Sequence, residues 1–417
     1  MGDEKNVMRY YRYSIENVEL IFEEEDEPIS IEKGLVSDIF IEKDFDNDIL
    51  PILNINIGLT STLYYKILYN KTKVKIRFRF QKYMLDEDNE PTTKSDVVND
   101  LFEFFLDEDT PFIDKSAYDK REDVDIGEGN TQLEYPNERL MDMYLFKISD
   151  IDASKVTVNS IIKKGTVSDI LAYSLTKSGI KKVLLAPVDN NDMLEQVILP
   201  TLTTNSILSL LEEQYGVYKK GATLFYDLDR TYLIDKNSEC TCWEDHEYKQ
   251  TLVTIPKSMN DISFYPGCYI NEEDKRYEIN VTPDLVTITS ESVLNEQITG
   301  NNLTVVNKNT GEIEKIETGM EQHGDGTYNI VQNSYNNKFA TEILTTRITE
   351  KSKIVRLTLG DVDIDALTPN KEFTLTFEES EINSVYGGSY RLGYCRHYFK
   401  KSGLEYIVSS DCILYKQ

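Results

Sequence analysis

Cysteine is scarce in this chain. Five residues, Cys240, Cys242, Cys268, Cys395 and Cys412, are spread through 417 and are odd in number, which excludes a disulfide framework. Histidine is scarcer: any Ser-His or Cys-His mechanism must draw on His246, His323 or His397. No apolar run reaches the ~18 residues of a membrane-spanning helix. The opening Met1-Gly2-Asp3-Glu4-Lys5 is not a basic-then-apolar signal, so synthesis and folding in a cytoplasm are expected. Positive charge is in deficit: 45 Lys and Arg against 73 Asp and Glu leave a net charge of −28. A free-standing nucleic-acid binder needs a basic face to displace counterions from phosphate, so composition argues against that class.

Catalytic signatures are missing too. There is no Gly-Lys pair and hence no P-loop, and no His-Glu-x-x-His zinc motif. Gly127-Glu128-Gly129 lacks the third glycine of a dinucleotide fingerprint. Gly387-Gly388-Ser389-Tyr390-Arg391 follows a nucleophile elbow until its fifth position, where Arg stands. Asp44-x-Asp46-x-Asp48 begins like a calcium loop, but Ile49 replaces the glycine and Ile55 the bidentate glutamate, so a solvated turn is the better account. Asp227-x-Asp229 fits a hairpin turn more simply than a divalent-ion site. Cys240, Cys242 and His246 are the residues that would ligate a metal. Their C-x-C spacing and the lack of a second cysteine pair favour a loop with incidental cysteines. The 73 acids offer too many carboxylate pairs to nominate one for glycoside hydrolysis. No catalytic residue, cofactor or enzyme activity is expected.

Apolar area is ample: 40% hydrophobic residues, with 27 Tyr and 16 Phe, in a length that suits two or three domains. Residues 1–83 read as a first barrel segment. Leu53, Ile55 and Ile57 alternate with Asn54 and Asn56, and Val74, Ile76, Phe78 and Phe80 alternate with Lys73, Lys75, Arg77 and Arg79. Period two puts the apolar residues on one face and the four bases on the other. Those bases either pair with neighbouring acids or form a docking surface for an acidic partner or a second copy. Residues 84–136 read as an acidic insertion, with a short helix over 97–106 turning Val98, Leu101, Phe102 and Phe105 inward.

Residues 137–240 read as mixed α and β. A strand over 156–162 leads to a helix capped by Thr166 or Ser168, with Val167, Ile170, Leu171 and Leu175 on one face and Gly179 at its end. A short strand over 183–185, a second helix over 205–215 stopped by Gly216, and a hairpin of 223–226 with 231–234 follow. Residues 241–350 read as a β-rich insertion or extension. Residues 351–417 read as a second barrel segment, with strands at 354–359, 373–377, 390–398 and 404–415. The fold class is mainly β with an α+β middle: two small antiparallel β-barrels, a mixed α/β domain and insertions.

The middle block carries a resemblance. Val183-Leu184-Leu185-Ala186-Pro187 leads to Ile198-Leu199-Pro200-Thr201-Leu202, a leucine-rich helix ends in Tyr215-Gly216-Val217-Tyr218, and Phe225-Tyr226-Asp227-Leu228-Asp229 follows. This order resembles the baseplate or tail hub proteins of tailed bacteriophages and related contractile injection systems. Leu199, Pro200, Tyr215, Gly216, Tyr218, Phe225, Asp227 and Asp229 carry the pattern. Residues 36–53 are similar to the first barrel of such hubs, and 361–371 with 386–390 and the terminal strands to the second.

The likeness is strongest at 165–235 and 355–417. It implies barrels built from discontinuous segments, and a homotrimer in which three pairs of barrels make a pseudo-sixfold ring. Such a ring adapts a hexameric tail tube to a trimeric spike. The partners so implied are itself, the tail tube protein, the central spike protein and other baseplate proteins, in the tail baseplate of the virion, with no membrane anchor and no cofactor. A charge of −28 suits part of a DNA exit channel that repels phosphate while the genome passes without specific binding. The rival functions are a virion-associated cell-wall glycan hydrolase and a receptor-binding tail protein. The second usually shows β repeats and glycine-rich tips, which this chain lacks.

Overall fold

The computed structural model describes residues 6–8, 10–70, 72–85, 91–105, 138–180, 182–236, 248–258, 266–289, 302–307, 313–317, 329–333, 339, 342–343, 346 and 353–417. It opens with β1 (Asn6–Met8), β2 (Tyr10–Phe22), β3 (Ile29–Ser30), β4 (Val36–Asp44) and β5 (Ile52–Thr60). Helix α1 (Ser61–Tyr69), β6 (Val74–Leu85), β7 (Ser95–Phe105) and β8 (Glu138–Lys147) follow. The alternation read in β6 is present: Val74, Ile76, Phe78 and Phe80 are buried and Arg77 is exposed.

Strand β7 corrects the helix expected over 97–106. Val98, Phe102 and Phe104 are buried, while Phe105 turns outward at 58% exposed. A short apolar run satisfies both periods, and antiparallel pairing with β6 and β8, which local spacing does not report, selects the strand.

The middle carries α2 (Ile148–Lys155), β9 (Thr157–Thr166), α3 (Val167–Lys177), β10 (Val183–Leu185), β11 (Met193–Thr203), α4 (Thr204–Gln214), β12 (Ala222–Tyr226) and β13 (Thr231–Asp235). Local chemistry sets its ends. Thr166 and Asp169 form a capping box on α3, Thr203 caps α4, and Gly179 and Gly216 take positive φ where the helices stop. β9 and β11 form a two-stranded antiparallel ribbon against α3 and α4. β10 runs parallel to β13, which pairs with β12 as a hairpin.

The remaining strands are β14 (Gln250–Ile255), β15 (Gly267–Asn271), β16 (Arg276–Asn280), β17 (Val286–Thr289), β18 (Asn302–Asn307), β19 (Ile313–Glu317) and β20 (Asn329–Asn333). Then come β21 (Ile354–Gly360), β22 (Glu372–Phe377), helix α5 (Ser380–Tyr386), β23 (Gly388–Ser402) and β24 (Glu405–Lys416). β18, β19 and β20 form a separate sheet.

The C-terminal hairpin serves two groups of strands. The first is a closed antiparallel ring of β4, β5, β8, β7, β6, β2, β24 and β23, which pairs back onto β4. Eight strands leave an interior that side chains can fill. Phe399 meets Tyr13 and Phe80 there with ring centroids 4.9 Å apart in each case, and Tyr406 packs 5.8 Å from Phe80. The second group of strands is a sheet that runs β1, β15, β16, β14, β22 to β23 on one side of the hairpin, and from β24 to β21 and β17 on the other; among the described residues its end strands β1 and β17 do not pair with each other. It is mixed in sense, because β14 runs parallel to both β16 and β22.

The change of partner strand falls at Gly393. Up to Tyr390, β23 pairs with β22; from Tyr394 it pairs with β4, and its register against β24 shifts between Leu392 and Tyr394. A Cβ at Gly393 would run into the Tyr415 ring and lie 2.9 Å from Asp46 Oδ2, so the close approach at this bulge demands glycine.

Candidate functional site

The α/β part, the closed barrel and the second sheet meet at a polar junction under the Asp227–Arg230 turn. Lys43, at the end of β4, donates to Asp227 Oδ2 at 2.7 Å, and that carboxylate is 2% exposed. Lys147 donates to the Leu228 carbonyl at 2.7 Å. Lys82 of β6 lies 2.7 Å from Asp363 and 2.6 Å from Asp365. Lys371 donates to the Asp365 carbonyl and stands 4.3 Å over the Tyr277 ring. A partly open space of about 400 Å³ is lined by Lys43, Lys82, Asp227, Asp365, Lys371 and His397, among others.

Burial opposes every charge here, and the partners decide the outcome. It pulls Lys43 and Lys82 down, but Asp227 in the first case and Asp363 with Asp365 in the second outweigh it and hold both lysines above their ordinary value. Burial would raise Asp365, yet Lys82 holds it below the ordinary carboxylate value. Lys371 goes the other way: burial exceeds the help of Asp365 and brings it down to about 8. Such closely paired ions fix geometry.

His397 stands at one end of this space. Its Nδ1 lies 2.8 Å from Ser410 Oγ, and its Nε2 is 3.5 Å from Cys395 Sγ. Burial brings the imidazole down to about 3 and pushes the thiol up to about 12, so both are neutral at pH 7 and no thiolate forms. All three side chains are at most 1% exposed. The arrangement is a sealed hydrogen-bonded set.

The calcium-like run is a salt-bridged turn. Asp44 Oδ1 accepts from the backbone N–H groups of Asp46 and Asn47. Asp46 lies 2.7 Å from Lys236 and 3.0 Å from Arg391, the residue that spoils the nucleophile-elbow motif. Burial would raise Asp46, but these two cations hold it below the ordinary value. On the basic strand, Lys73 pairs with Glu24, Arg77 with Glu19 and Arg79 with Asp96, at 2.7–2.9 Å. Lys75 lies on the same outward face, half-buried.

Most of the hub-pattern residues come together in one core. Leu199, Tyr218 and Phe225 are buried; Tyr218 Oη donates to the Ala186 carbonyl at 2.8 Å, and Phe225 meets Phe45 edge-on at 4.7 Å. The Tyr215 carbonyl accepts from Asn190, Gly216 ends α4, and Asp227 forms the Lys43 pair. Pro200 and Asp229 are exposed. Cys240, Cys242 and His246 lie outside the described residues, among which no cluster of metal-ligating side chains is found. Lys82, Asp363, Asp365 and Lys371 escaped sequence reasoning. Their one local signal was a lysine ending an alternating strand.

Residues 6–417 match the family of the bacteriophage PBS1 gene 109 protein. The chain belongs to that family. Among solved structures, this gene 109 family member is similar to the tail protein from Neisseria meningitidis MC58, with a TM-score of 0.52 and 11% identity over 97% of each chain. It is also similar to the 43 kDa tail protein of prophage MuSo2 from Shewanella oneidensis, with a TM-score of 0.50 and 10% identity over 95% of this chain and 97% of that one. No curated protein matches the gene 109 family chain in sequence. It is a phage protein with the fold of tail proteins, and the tail-protein resemblance holds at that level. Among the described residues, no helix is long and apolar enough to cross a membrane.

Proposed function

We propose that this gene 109 family protein is a structural component of the tail baseplate, a homotrimeric hub that adapts a hexameric tail tube to a trimeric spike. The observation that carries this reading is the hairpin of β23 and β24, shared by the closed barrel and by the second sheet, which we read as the second barrel. Three copies would then present six barrels, matching a threefold axis to a sixfold one without six chains. The buried pairs Lys43–Asp227 and Lys82–Asp363 favour a fixed angle between the α/β part and the barrels. A net charge of −28 agrees with a ring wall past which DNA moves without sticking.

Light scattering during size-exclusion chromatography tests the proposal. The expected mass is that of three chains of 48.1 kDa each. A single-chain mass, unchanged when the candidate spike protein is added, would overturn it and turn attention to cell-wall hydrolysis and receptor binding.

A further inference from the structure

Two outward faces of the protein carry apolar side chains in strand register; in the first, Phe105 and Tyr398 are exposed, Phe40 and Tyr144 half-buried, and the central Asn54 is buried. The first crosses the outside of the closed barrel. Tyr398 of β23 is opposite Phe40 of β4, which is opposite Asn54 of β5, then Tyr144 of β8, then Phe105 of β7. Phe105 is 58% and Tyr398 37% exposed. Phe40 stands 6.3 Å from Tyr144 and 6.2 Å from Tyr398, and the Arg396 guanidinium lies 4.0 Å over its ring. Outward positions of a barrel strand are ordinarily polar, whereas an aromatic row with an arginine has the composition of an interface centre. Neighbouring outward positions hold Asp38, Glu42, Glu103 and Asp142 against Arg396 and Lys400, an excess of acid.

The second face is the ribbon of β9 and β11. Its inner side buries Val158, Val197 and Leu199, and period two turns Ile161 and Ile198 the other way. They are direct cross-strand partners, 61% and 56% exposed. Lys163 and Lys164 flank them, with Glu195 beside, an excess of base.

A ring of three identical copies needs a heterologous contact: each copy must present two different patches that complement one another. We propose that the isoleucine ribbon of one copy docks on the aromatic row of the next, and that this contact closes the trimer. The apolar centres supply the area, and the lysine rim faces the acidic one, which selects the head-to-tail orientation over row-on-row or ribbon-on-ribbon pairing. The contact rests on the trimeric reading above.

The test is a complementation of single-surface variants by light scattering. Ile161→Glu with Ile198→Glu disables the ribbon; Phe105→Glu with Tyr398→Glu disables the row. Unchanged far-UV circular dichroism and a cooperative thermal transition check that each still folds. If either misfolds, Ile161→Ser or Phe105→Ser carries the same readout. Wild type is expected at three chain masses and each variant at one. Their equimolar mixture is expected at two, since one intact row meets one intact ribbon and the chain of contacts then stops. A folded variant that remains trimeric, or a mixture that stays at one chain mass, overturns the contact while leaving the trimer standing. A monomeric wild type overturns the trimer and this contact with it.

Discussion

The closed barrel and the junction beneath the Asp227–Arg230 turn are both buried, yet opposite physics holds them. The barrel has no edges to satisfy, and its interior is hydrocarbon and ring: Phe78, Phe80, Phe102, Tyr13 and Tyr406 are all at most 1% exposed. Its stability scales with the volume it fills. The junction is built from lysines and carboxylates that would each be costly alone and are tolerable only as pairs. The barrel is therefore sensitive to shape and the junction to charge balance. The two regions thus combine a body held by shape with a junction held by charge.

Phe80→Ala strikes the barrel hardest. Four ring neighbours lose their partner, so a loss of about 3–5 kcal/mol is expected, the same at pH 7 and pH 9. Urea unfolding measures it, and a loss below about 1 kcal/mol would mean that the ring interior collapses around voids. Lys43→Met tests the joint. It leaves Asp227 buried without its cation, at a cost of about 3 kcal/mol. Adding Asp227→Leu should recover part of that loss. A double variant as unstable as the single one would show that packing, rather than charge, matters there.

A smaller effect separates the regions by pH. Lys371 titrates near 8 in the folded protein against 10.5 ordinarily. Below about pH 8 both states hold the proton, and the burial penalty is constant. Between 8 and 10.5 the unfolded chain holds more protons, so wild type gains on Lys371→Met by up to about 1.4 kcal/mol per pH unit. Urea midpoints of both proteins across that range check the sign, and a flat difference would remove Lys371 from the account.

Legibility followed the same divide. The alternation of β6, a helix cap at Thr166 or Ser168, of which the structure uses Thr166, and the glycine stops at Gly179 and Gly216 are local, and each was readable. The 97–106 run failed because its spacing satisfies two periods, and the choice depends on neighbours far along the chain. At the junction, Lys43 meets Asp227 across 184 residues and Lys82 meets Asp363 across 281. Nothing in the spacing of charges in a −28 chain marks those pairs above the many others available.

By itself, then, the order of residues determined the alternation of β6, where two helices begin and end, and that the cores are aromatic. Side-chain period and capping act over a few residues and need no partner. Only the tertiary structure decided that β23 changes partner strand at Gly393, that 95–105 is a strand, and that Lys43 with Asp227 and Lys82 with Asp363 form buried pairs. Strand pairing and ion pairing are settled by which distant surfaces meet.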